Sequence, residues 1–307
     1  MRTAVSARFS LPPVLALLAL SAIYLCAPPP LSALYPQSLP QERPSKPDEA
    51  KLAKILEAAG AYCEKLKSMA LHFVCRENIA EKTHEFGKTL LFRRASDPRG
   101  RLVPIEDLKA VKTVKTSYVY DYQMIKMGDS LSEKRDFLEE NGKKRDKKDV
   151  ALQTLRMTGK YLVYGPVGFL SRAWQPHFRY EIVGAENLGG RKAAILRAVP
   201  RELTEENHSF GRIWVDEEEA SVLRIEWEPQ SIDNLRDVVQ SPIGELKRRV
   251  IWTASYDVVK NGIRFPGVQS IKEYLTTPSA KEHLKYEAEY VYDRYKFFTV
   301  ETEVVFK

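Results

Sequence analysis

The chain lacks the local patterns that usually name a reaction. Its three cysteines include no Cys-x-x-Cys pair, so neither redox nor zinc-ribbon chemistry has a local signature. Five histidines, His72, His84, His177, His208 and His283, are scattered without metal-ligand spacing, and no His-Glu-x-x-His occurs, so no metal site is expected. Gly-x-Ser-x-Gly and the phosphate-binding P-loop are also missing, and no cofactor is expected. The most apolar stretch, Leu11 to Leu25, is broken by Pro12, Pro13 and Ser21 and falls short of the ~20 residues a membrane span needs. No recognition helix, zinc spacing or RNA-binding motif accompanies the excess positive charge, which argues against nucleic acid as a partner.

What is present is an apolar chain with an export-like start. It has 307 residues, 44% apolar and 29% charged, enough to bury a sizeable core. Residues 1–33 have the three parts of a secretion signal: basic Arg2 and Arg8, the apolar run, then small residues including Ser32 and Ala33. An uncleaved anchor is the competing reading, and lipidation at Cys26 is disfavoured by Leu25 before it. Residues 34–47 hold Pro36, Pro40, Pro44 and Pro47 among polar residues, a linker composition. Loss of the leader leaves Cys63 and Cys75, an even number for an oxidising compartment. A bridge between them is expected, and it would stabilise by roughly 3 kcal/mol in the chain-entropy account. Two buried free thiols are the alternative.

A helix is expected over 48–68, where Leu52, Ile55, Leu56, Ala59, Tyr62, Cys63 and Leu66 recur on one face. Strands follow at 69–79, 88–92, 114–125 and 131–140. In the third of these Tyr118, Tyr120, Tyr122 and Met124 share one side, while Asp121 and Gln123 take the other. Asn141-Gly142 and Asn261-Gly262 read as hairpin turns. Helix-like segments interrupt at 149–178, where Pro166 starts a helix with Val167, Phe169, Leu170 and Trp174 along it. Strands resume at 180–184, 191–199, 211–216, 221–228, 247–260, 263–275, 282–293 and 297–306. The fold class is therefore α+β, with about ten or eleven antiparallel strands and two or three helices.

This order resembles the outer-membrane lipoprotein carrier (LolA/LolB-like) superfamily, including its RseB-like relatives. The early helix, the hairpin GRIWVDEEEASVLRIEWE at 211–228 and the segment YDVVKNGIRFP at 256–266 carry the resemblance, which covers most of residues 48–307. It implies a single domain over 48–307: a curved antiparallel half-barrel whose concave face is covered by helices and shelters acyl chains or a lipidated peptide. The basic insert at 143–148 has no counterpart in that pattern. Arg93, Arg94, Arg99 and Arg101 stand loosely where the carriers have an arginine-rich early strand.

Candidate cavity residues are Tyr118, Tyr120, Tyr122 and Met124 on a strand, with Phe169, Leu170 and Trp174 as a helical cover; plain core packing is the alternative. The run Lys143, Lys144, Arg145, Lys147 and Lys148 reads first as a solvated hairpin tip and second as a contact with anionic headgroups or an acidic partner. Glu217, Glu218 and Glu219 read as a solvated turn. The expected function is an exported, periplasmic, non-catalytic binder or carrier of a hydrophobic ligand such as acyl chains or a lipoprotein. An RseB-like sensor or protein-interaction module with an envelope partner is the second reading, and an envelope enzyme the third.

Overall fold

In a computed structural model, the described residues are 46–69, 72–94, 100–127, 130–155, 165–203, 210–228 and 238–298. The expected leader, most of the Pro-rich linker and nearly all of the expected last strand lie outside them. The first helix, α1, runs Lys46–Met69. Its 3.6-residue stripe turns Ala59, Tyr62, Cys63 and Leu66 inward, all buried, while Leu52, Ile55 and Leu56 pack at the margin of the same cluster.

Alternation then takes over. The strands are β1 (His72–Arg94), β2 (Leu102–Met127), β3 (Ser130–Glu140), β4 (Lys143–Lys147), β5 (Phe178–Leu188), β6 (Arg191–Pro200), β7 (Gly211–Asp216) and β8 (Val222–Trp227). They continue as β9 (Val238–Ser241), β10 (Gly244–Ser255), β11 (Val258–Lys260), β12 (Ile263–Phe265), β13 (Val268–Thr276) and β14 (Glu282–Phe297). Twelve of them form one sheet in the order β4-β3-β2-β1-β14-β13-β10-β8-β7-β6-β5, with β9 alongside β10. Every pairing is antiparallel. The path ends at β4 and β5, so the sheet is open. β-Bulges at Glu85/Phe86, Val119/Tyr120, Ile182/Gly184 and Glu273/Tyr274 each add local twist and bend, and the sheet is curved.

The strand inventory departs from the expectation in particular places. The strands expected at 69–79 and 88–92 are one continuous β1, and β2 begins twelve residues before Val114. The basic run is not a bare tip: Lys143–Lys147 forms edge strand β4, every residue of it exposed. The span 247–275 is broken at Tyr256-Asp257 and Pro266-Gly267, leaving β11 and β12 as a separate two-stranded ribbon. Within 149–178 the described helical structure is short, α2 (Gly165–Leu170) and a 3-10 turn at Gln175–His177. Both Asn-Gly turns hold: Asn141 and Gly142 have φ of 50° and 75°, and Asn261 and Gly262 have 51° and 68°. Two successive positive φ values define the hairpin turn whose twist matches its strands.

The acidic turn between β7 and β8 is not simply solvated. Asp216 Oδ1 accepts the backbone N–H groups of Glu218 and Glu219, each at 2.8 Å. Glu217 pairs with Lys51 of α1 at 2.8 Å and with Lys192 at 3.1 Å. Glu219 pairs with Arg191 at 2.6 Å and with the buried Arg264 at 3.3 Å. Arg264 in turn donates its backbone N–H to Tyr62 Oη of α1 at 2.9 Å. The turn thus anchors the helix to the sheet.

Candidate functional site

The face of the sheet that α1 packs against is built row by row from register. Cys75 of β1 stands opposite Tyr122 of β2, which stands opposite Arg135 of β3. One step along, Glu77 lies between Tyr120 and Tyr292; the next row sets Ile79 between Tyr118 and Tyr290. Side chains two apart on a strand share a face, so these rows form one aromatic surface. The sequence candidates Tyr118, Tyr120, Tyr122 and Met124 all lie in it and are buried. Tyr120 stacks on Phe137 of β3 with ring centroids 4.9 Å apart.

The helical candidates gather elsewhere on the same face. Phe169 and Leu170 of α2 are buried and Trp174 is half-buried beside them. Phe169 packs on Phe178 of β5 at 5.6 Å, and Tyr180 donates its hydroxyl hydrogen to the Phe169 carbonyl. All seven candidates belong to, or pack against, one continuous core cluster. Four sit on β2 and three by β5, near opposite ends of the sheet order.

A polar set that the sequence reading did not single out lies among the tyrosines. Glu77, with its side chain 1% exposed, receives Arg135 Nε at 2.8 Å, and Tyr292 Oη donates to its other oxygen at 3.0 Å. Arg135 also lies over the Tyr122 ring, 4.8 Å from its centroid, and Tyr122 donates to Glu133. Tyr286 donates to Glu81. The signal available in sequence was slight: Glu77 and Glu81 fall in phase with Phe73, Cys75 and Ile79, carboxylates on the apolar side of an alternating strand.

Burial and these partners set the titration of the face. Burial pushes the Tyr120 hydroxyl up to about 12. Burial raises Tyr122 and Tyr292 further, reinforced by Glu133 and Glu77 respectively. For Arg135 burial works against the charge, yet Glu77 and Glu133 outweigh it and raise its pKa. The tyrosines are therefore neutral hydrogen-bond donors at physiological pH, and Arg135 is a fixed cation.

The segment at 150–155 crosses this surface. Gln153 N–H donates to Tyr120 Oη at 3.3 Å and Leu155 N–H to Glu81 at 3.0 Å. Val150 and Leu152 pack on the core below.

The expected Cys63–Cys75 bridge is not formed: both are free, buried thiols. They face different partners, Cys63 donating to the Pro166 carbonyl at 3.5 Å and Cys75 lying by Tyr295. Burial pushes the Cys63 thiol up to about 12 and Cys75 higher, which keeps both protonated at neutral pH. On the opposite face, a groove of about 750 Å³ is lined by Arg197, Arg212, Arg224 and Arg249. Their guanidiniums are neutralised by Glu228, Glu226 and Glu282, leaving little net charge to draw a ligand. Among the described residues no cluster of three His, Cys, Asp or Glu side chains could hold a metal ion.

No protein-family model and no curated protein matches the chain. The solved structures similar to it include the following three. A DUF1329 family protein from Desulfovibrio piger is 9% identical, covering 84% of this chain and 96% of its own with a TM-score of 0.37. An outer-membrane lipoprotein-sorting protein domain from Vibrio parahaemolyticus is 11% identical, covering 81% and 95%, with a TM-score of 0.32. A LolA superfamily protein from Nitrosomonas europaea is 10% identical, covering 79% and 94%, with a TM-score of 0.28. These likenesses include the superfamily that the sequence resembles. The fold class itself rests on the open, curved sheet described above.

Proposed function

We propose that the chain is an exported, non-catalytic envelope protein that binds an acyl chain or a lipidated polypeptide against the helix-bearing face of its sheet. One observation carries this reading: a continuous buried aromatic face, including Tyr118, Tyr120, Tyr122, Tyr290 and Tyr292, runs along the helix-bearing side of the sheet. The 150–155 segment supplies part of its cover, meeting the tyrosine surface through hydrogen bonds from Gln153 to Tyr120, from Leu155 to Glu81 and between Thr154 and Tyr290.

In this reading Tyr118, Tyr120, Tyr122 and Met124 take the acyl chain, and Phe169, Leu170 and Trp174 close the far end. Each methylene moved from water contributes ~0.8 kcal/mol, so a long chain is held without covalent chemistry. The test is displacement of a fluorescent fatty acid. Tyr120→Asp should weaken uptake at least tenfold, because it places a charge on the apolar face; a variant that folds and binds equally would refute the assignment of this face.

A second reading, a protein-interaction module, is favoured by one feature, the free edge of β4. Its five exposed residues, Lys143, Lys144, Arg145, Asp146 and Lys147, could pair with an acidic extended segment of an envelope partner.

A further inference from the structure

The first hairpin leaves the sheet. Pairing of β1 with β14 stops at Thr83, and pairing of β2 with β3 stops at Tyr118. Beyond those points, from Glu85 to Arg94 and back from Leu102 to Lys112, β1 and β2 pair only with each other. Ten residues of strand make an arm about 30 Å long. Its base is fixed: Leu108 is buried with Leu246 and Leu275, and Phe86 packs beside them. Asp107 accepts from His283 Nε2 at 2.9 Å, and Lys285 donates to the His84 carbonyl at 2.9 Å.

Among the described residues the outer part of the arm has no such cover. Leu90 is 53% exposed, Phe92 67% and Leu102 65%. Register puts Phe92 opposite Pro104 and Arg94 opposite Leu102, so Leu90, Phe92 and Leu102 share one side of the ribbon. An isolated two-stranded ribbon is marginal in water, and a contiguous apolar surface at its end marks a contact site. The chemistry of the partner is written beside it. Arg93, Arg94 and Arg101 are exposed at the same tip.

The basic edge strand lies at the same end of the sheet. Asn141, which opens β4, donates its N–H to the Ser117 carbonyl at 2.9 Å, where β2 leaves the sheet. Arg94 lies on the same side as Leu90, Phe92 and Leu102, and Arg93 on the other side beside the exposed Leu91 and Val103; apolar side chains next to arginine, with a second basic strip at the same end of the sheet, match the interface of an anionic lipid bilayer.

We propose that the outer strand ends of the β1–β2 arm bind an anionic membrane surface, with Leu90, Phe92 and Leu102 entering the acyl boundary and Arg93 and Arg94 on the headgroups. This contact needs no ligand on the helix-bearing face, so it stands or falls separately from the carrier reading. The experiment is hydrogen exchange of the full chain, with and without vesicles of phosphatidylcholine containing about 30% phosphatidylglycerol. Because exchange is read peptide by peptide, binding through the apolar N-terminal run does not mimic it.

Peptides covering 88–94 and 102–106 should exchange more slowly with these vesicles and unchanged with phosphatidylcholine alone. In Leu90→Ser/Phe92→Ser/Leu102→Ser the protection should fall by roughly tenfold or more. These side chains are exposed, so the melting transition should stay where it is. In Arg93→Glu/Arg94→Glu, which leaves the apolar side chains in place, the preference for anionic vesicles should vanish. Unaltered arm exchange with vesicles, or charge-reversed arms that keep the anionic preference, would overturn the proposal. So would protection that rises with protein concentration without lipid, which would identify a second copy as the cover.

Discussion

Arg135 and Glu77 show how much of this face depends on single side chains. Their pair is buried, the two side chains 11% and 1% exposed, and removing one partner strands the other in a medium that solvates charge poorly. Arg135→Met should cost about 3–5 kcal/mol in urea unfolding, and Glu77→Gln/Arg135→Met less than that. A single variant no worse than the double would mean that the pair contributes little. Asp107 predicts a pH dependence. Burial pushes its pKa up, but the Leu108 N–H, His283 and Thr277 outweigh burial and hold it below its ordinary 3.8. A lowered folded value stabilises fully above the unfolded pKa and is lost as pH falls through the folded value. Asp107→Asn should therefore flatten the loss of stability below about pH 4, as read by acid titration of the unfolding midpoint; parallel acid limbs would contradict it. Alternation places Glu77 and Tyr120 each on a face, and that much was legible in sequence. Their convergence with Arg135 and Tyr292 was not, because partners 58 and 215 positions from Glu77 meet only once the strand order is known. The thiols failed as a bridge for the same reason: Cys63 faces α2 and Cys75 faces β14, directions that a count of cysteines does not contain.

The hairpin of β7 and β8 was readable because its signals are local. Two alternating runs flank an acidic turn, and the structure pairs Gly211 with Trp227 and Ile213 with Ile225. Gly211 is required there by a close approach: a Cβ would sit 2.2 Å from the Glu226 carbonyl oxygen and 2.9 Å from Trp227 Cα. Both obstacles are backbone, so relief requires the strands to separate. Gly211→Ala should destabilise by about 1–3 kcal/mol, as overpacking does, and a thermal melt matching the parent would refute the close contact. The Asn-Gly turns and α1 were legible on the same local grounds. The unbroken length of β1 was not, since residues 80–87, AEKTHEFG, carry little apolar alternation. That segment is held extended by its pairing with 109–117 on β2, a tertiary decision. The acidic turn misled because three successive glutamates look solvated until Lys51, Arg191, Lys192 and Arg264 are brought beside them.

Among the described residues, one long antiparallel sheet is open at β4 and β5 and bears two helices on a single aromatic face. That asymmetry separates it from a closed barrel, in which side chains fill the interior, and from a sandwich, in which a second sheet covers the first. The molecule keeps Arg135 charged and its tyrosines neutral on that face, and it carries a basic edge and an apolar-tipped arm at one end. The proposed acyl site uses the aromatic face, and the proposed membrane contact uses the basic edge and the arm. The central claim is that the covered face holds an acyl chain, and native mass spectrometry of the purified protein, followed by organic extraction, tests it most directly. The account predicts a mass excess matching a fatty acid, phospholipid or lipopeptide, released on extraction and reduced in Tyr120→Asp. An apo mass alone, with no lipid in the extract and no uptake of added fatty acid, would contradict it.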